Sequence, residues 1–197
     1  AIQNADFGFR FLTGGLVGAV KNATVLGPDS VAALSISGNV TVVFNTTAST
    51  QTVAVGAANI AVPAGAAGAP YVRVELQTGR IGILGQTLAA DFVFEQMTRE
   101  GEKVVTVRAS SVHLGLGDGT TELLSVAGGA ISLTIDSQGV AGDFAGTVTS
   151  NVPNVSLSGT FAVAVNTRNP ADRYVRVSGF GSSLFYGNDL SDLSALV

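Results

Sequence analysis

The 197-residue chain contains no cysteine and no tryptophan, has a single histidine, and only 12% of its side chains are charged. Each shortage excludes something. Without cysteine there is no disulfide framework, no thiolate zinc site and no thiol nucleophile. His113 stands alone, in no His-x-His or His-Glu-x-x-His pattern, so a metal site or a catalytic triad lacks partners. Ten Lys and Arg against fourteen Asp and Glu give a net charge of −4. The basic footprint of a nucleic-acid binder is therefore missing. No apolar run reaches the roughly 20 residues of a membrane-spanning helix, because Gly, Ser, Thr and Asn interrupt every one.

What the chain does have is alternation at period two. Phe7-Gly8-Phe9-Arg10-Phe11 puts its rings on one side, and Val155, Leu157, Phe161, Val163 and Val165 share a face opposite small and hydroxylated residues. Shorter versions occur at Tyr71 to Leu76, Lys103 to Arg108, Val112 to Leu116 and Ile131 to Ile135. Such alternation reads as half-buried strands. No window carries a capped helical stripe; at most Ser30 to Leu34 makes one helical turn. Thr78-Gly79, Glu100-Gly101, Asp118-Gly119, Gly128-Gly129 and Gln138-Gly139 supply turn chemistry. Close turn spacing predicts antiparallel hairpins, since parallel pairing needs long crossovers. The fold class is all-β: an elongated, mainly antiparallel tandem-repeat architecture of stacked hairpins with negligible helix, solenoid-like or sandwiched.

The chain also resembles itself. Tyr71-Val72-Arg73-Val74 returns at Tyr174-Val175-Arg176-Val177, 103 positions on. Leu34-Ser35-Ile36-Ser37-Gly38 has its counterpart in Val155-Ser156-Leu157-Ser158-Gly159, 121 positions on, and both run to an Asn-Thr pair, Asn45-Thr46 and Asn166-Thr167. Gly15-Leu16-Val17-Gly18 matches Gly139-Val140-Ala141-Gly142 at an offset of 124. These landmarks divide the chain into the end of one unit (1–70), a complete unit (71–173) and the start of a third (174–197), the pattern of a tandem array. The first copy is longer by a segment at 50–69, read as an extra hairpin (Thr52 to Val55, Asn59 to Val62) followed by a loop, Pro63 to Pro70. Such an insertion is expected at the surface, where a ligand such as a surface glycan could bind.

Candidate sites are sparse. Gly187-Asn188-Asp189-Leu190-Ser191-Asp192-Leu193 is similar to half of the calcium-binding nonapeptide of β-rolls. Calcium takes about six to eight oxygens, and the motif occurs once, so Asp189, Asp192 and the Asp118 turn are only weak calcium candidates. Asp91 and Glu95 share a strand face about 13 Å apart by strand rise, too far for a glycosidase pair, and read as solubilising groups. No Gly-x-Ser-x-Gly elbow exists. No catalytic or cofactor-binding residue is expected, and the chain does not read as an enzyme. Sequons at Asn22, Asn39, Asn45 and Asn154 match what chance gives in so Asn- and Thr-rich a chain.

Tyr71 to Val74, Gly85 to Glu95, Leu114 to Gly119 and Val152 to Gly159 together resemble the tandem β-strand repeats of very large bacterial surface and adhesin-type proteins. That resemblance implies an extracellular or cell-surface structural module, associating with copies of itself or with adjacent repeats through sheet edges and small-residue faces. It transfers no functional residue.

Overall fold

A computed structural model describes residues 2–26, 34–66, 68–83, 86–117, 121–168, 173–179 and 181–187, which are all-β with no helix among them. The strands begin with β1 (Ile2–Gln3), β2 (Asp6–Leu12), β3 (Gly15–Leu26) and β4 (Leu34–Asn45). A short pair follows, β5 (Gln51–Val55) and β6 (Ala58–Val62), and then long strands β7 (Tyr71–Ile83), β8 (Gln86–Arg99) and β9 (Glu102–Gly117). The rest are β10 (Glu122–Asp136), β11 (Gly139–Ser150), β12 (Ser158–Asn166), β13 (Tyr174–Gly179) and β14 (Ser182–Gly187). All except β5 and β6 form one 12-stranded antiparallel sheet in which sequence neighbours are sheet neighbours. β1 and β2 both pair with the same side of β3, as one edge strand interrupted at Asn4, whose φ is 57°.

The hairpins lie side by side in a single layer. Residues opposite one another in register share a face, and the register sorts the sheet into two unlike surfaces. One row runs Phe7, Val20, Val42, Val74, Phe94, Val107, Leu133, Gly142, Val165, Val175, without a polar side chain from β2 to β13. The adjacent row on the opposite surface runs Gly8, Ala19, Val43, Arg73, Glu95, Thr106, Thr134, Ala141, Asn166, Tyr174. Alternation in sequence has become an apolar face and a mixed face.

No second layer covers the apolar face. Phe7 is 67% exposed and Phe94 42%, and the other side chains of that row are only half-buried or exposed, apart from Gly142. The solvent-accessible surface of 11800 Å² exceeds the roughly 8,600 Å² expected of a compact protein of this mass. What core exists is small and local. The larger cluster (Val17, Ala19, Val43, Val53, Val55, Val62, Tyr71) lies where the β5–β6 hairpin folds down onto the mixed face.

Two expected turns are bulges instead. Thr78 (φ 50°) and Gly128 (φ 61°) sit inside β7 and β10, where the register slips between Leu76 and Gly79 and between Ala127 and Ala130. Similar slips occur in β3 at Asn22 and in β9 at Ser111, so the irregularities run across neighbouring strands and bend them together. In the bend, Ala90, Ala109 and Val112 are buried under Leu88, Phe92 and Ile131. Glu100-Gly101, with φ of 54° and 85°, does make the β8–β9 turn. The tips at Asp118-Gly119 and most of Ser30 to Leu34 lie outside the described residues, but Glu122 pairs with Gly117 as that hairpin requires.

Candidate functional site

The best-built polar site lies at the Asn45 corner, at the end of β4. Asn45 is fully buried. Its Nδ2 donates to the carbonyls of Ser49 and Pro63, each at 2.8 Å, fastening both ends of the hairpin segment. Its Oδ1 accepts from the N–H and the hydroxyl of Thr47, again at 2.8 Å. A buried amide with all its roles filled is a fixed point. Next to it, Thr46 clamps β3: its N–H donates to Leu16 O at 2.9 Å, and its Oγ1 accepts from Leu16 N at 2.8 Å. Gly8 lets the hairpin seat, because a Cβ there would lie 1.9 Å from Ala54 O. Arg10 Nη1 donates to Thr52 O at 2.7 Å on the same side.

The 50–69 segment thus forms the expected hairpin but does not protrude. Val53, Val55 and Val62 are 4% exposed or less. It is a lid over the mixed face, and its inward side chains are spent on packing.

The same corner recurs at Asn166. Thr167 N–H donates to Val140 O at 2.8 Å, Thr167 Oγ1 accepts from Val140 N at 2.9 Å, and Arg168 N–H donates to Asn166 Oδ1 at 3.1 Å. The register agrees as well: Val17 opposes Asn45 and Asn45 opposes Tyr71, while Ala141 opposes Asn166 and Asn166 opposes Tyr174. Here the link to the next strand is short, and no described strand covers the sheet. An open cleft of about 580 Å³ remains, lined by Gln138, Ala141, Asp143, Ala164, Asn166, Arg168 and Tyr174 among others. Where the covered copy has Gly8, Val17, Ala19 and Val43, the open one has Ser132, Ala141, Asp143 and Ala164. The uncovered seat has traded bulk for polarity, as solvation demands.

Two charged groups border these seats. Beside the first, Tyr71 Oη donates to Glu95 Oε1 at 2.7 Å and Arg73 pairs with Glu75 at 2.6 Å. Burial, the hydrogen bond to Glu95 and that carboxylate's charge push the Tyr71 pKa up to about 12, with Arg73 opposing. Burial lowers the pKa of Arg73, but Glu75, Glu95 and Tyr71 outweigh it and hold the guanidinium above its ordinary value. Beside the second, Asp136 pairs with Arg168 and accepts the Gln138 N–H at 2.9 Å. Burial would raise the Asp136 pKa, yet the Gln138 N–H, Arg168 and the Gly139 N–H together hold it below the usual carboxylate value.

The residues singled out in the sequence do not converge. Glu95 is buried and bonded to Tyr71, so it is a packing group and not a solubilising one. Asp91 Oδ1 accepts the Thr78 N–H at 2.7 Å and holds the β7 bulge. His113 Nε2 lies 2.9 Å from Glu122 Oε1 on an exposed stretch. Asp118, Asp189 and Asp192 lie outside the described residues, and among the described ones no group of three or more His, Asp or Glu is placed to hold a metal. In the sequence Asn45 is only a landmark and a sequon. Its recurrence with Thr at both corners was the signal of its structural role, and its burial takes it off the surface. No protein-family model, curated protein or solved structure matches this chain.

Proposed function

We propose that the chain is a structural repeat module of an extracellular fibre, stalk or adhesin-like surface protein of bacterial type. The observation that carries this reading is the doubled Asn-Thr corner. Two stretches 121 residues apart in sequence take the same register and the same clamp hydrogen bonds within one continuous sheet. Repeats that bond alike extend a sheet by adding strands to it. Among the described strands, β2 and β14 each pair on one side only, which leaves ladder groups for strand addition. The reading needs no enzymatic step.

Electron microscopy of the purified chain tests it. End-to-end assemblies that lengthen with concentration are expected, and they shorten when Phe9→Pro blocks the β2 ladder. Discrete particles of constant length at every concentration would overturn the reading.

A further inference from the structure

The apolar face of the sheet is a surface that the edge contacts leave untouched. We propose that it packs against the same face of a second copy, closing two single-layer sheets into a face-to-face sandwich. This rests on the reading of the chain as an associating structural module, but on a different surface from its edges.

Area and chemistry carry the proposal. Ten strands about 4.8 Å apart, sharing a length of about eight residues, present a face on the order of 1,000 Å². A stable interface needs roughly 800 Å² per partner, and exposed apolar patches on monomers seldom exceed a few hundred Å². The centre of the face, at Val42, Val74, Phe94, Val107, Leu133 and Val165, is β-branched, aliphatic or aromatic throughout and carries no charge. Like faces without charge meet with no repulsion, and twisted sheets of this kind pack at about 10 Å. A partner recognised by charge has nothing to hold on this face. Lipid is the less favoured cover, because strands cross a bilayer only as closed barrels, and the described sheet has β2 and β14 as separate edges.

The experiment combines sizing with thiol protection, which the absence of native cysteine makes clean. Multi-angle light scattering of the Phe9→Pro chain, in which edge growth is blocked, should approach twice 19.8 kDa across a concentration series. Val107→Cys, a near-isosteric change, should react with maleimide at least about tenfold more slowly at high concentration than at low. Ser132→Cys, on the mixed face, should react equally fast at both. Val107→Asp in the same Phe9→Pro background should remain a monomer with an unchanged strand signal in circular dichroism. If that variant fails to fold, the cysteine protection decides alone. Three outcomes overturn the proposal: a monomer with freely reactive Val107→Cys at every concentration, an oligomer in which Val107→Cys stays reactive, or protection that appears only with phosphatidylcholine vesicles. A dimer that persists when Val107→Asp is combined with Phe9→Pro would remove this proposal and leave the edge reading standing.

Discussion

Asn45 bears more of the local structure than its neighbours suggest. Replacing it with alanine removes two bonds to carbonyls and orphans the Thr47 donors in a site closed to water. With each lost bond or orphaned group costing about 1 kcal/mol or more, Asn45→Ala should destabilise by about 3 kcal/mol in urea unfolding. Asn166→Ala, at the open corner, should cost less. Gly8→Ala is expected to lift the hairpin, since no Cβ fits 1.9 Å from a carbonyl oxygen. Its readout is increased binding of a dye that senses exposed apolar surface. Tyr71 sets an alkaline limit. Its pKa rises from 10.0 to about 12 on folding, so its contribution is complete below pH 10 and is lost as pH climbs through about 12. A melting-temperature profile should be flat below that window and fall within it, with a shallower fall in Tyr71→Phe.

At the scale of elements, the hairpin and its seat belong together. Shortening Thr47 to Pro70 to the length of the second link should expose Val17, Ala19 and Val43 and lower both soluble yield and melting temperature. Adding Val17→Ala and Ala19→Asp, the residues the chain itself uses at 141 and 143, should restore solubility. The existence of β5 and β6 was legible from alternation, and their length from the mismatch between copies. That they fold down was not, because the signal is the small Gly8 some forty residues upstream. Bulges are hidden in the sequence for a related reason. Gly128-Gly129 and Thr78-Gly79 have turn composition, and only pairing with long neighbours on both sides makes them slips inside a strand.

At the scale of the whole molecule the sheet is wide, single-layered and poor in charge. Such a protein gains little from burial as a monomer, so its stability should rise with protein concentration as the apolar face becomes covered. Thermal melts over a dilution series would show this as a rising midpoint. Asp118, Asp189 and Asp192 are only weak calcium candidates in the sequence, so EDTA should leave the melting temperature unchanged. A fall would show that a divalent cation stabilises the chain.

The sequence by itself determined the class of structure and its internal correspondence. Period-two alternation with turn residues admits little but antiparallel strands, and matched landmarks mark matched positions whatever the fold. Only the tertiary structure decided which face each position joins and what covers it. Alternation is symmetric between the two sides of a strand, so Val74 and Arg73 are equivalent patterns until cross-strand register lines up ten strands. That register collected the valines and phenylalanines on one continuous face, left it bare, and placed the hairpin on the other.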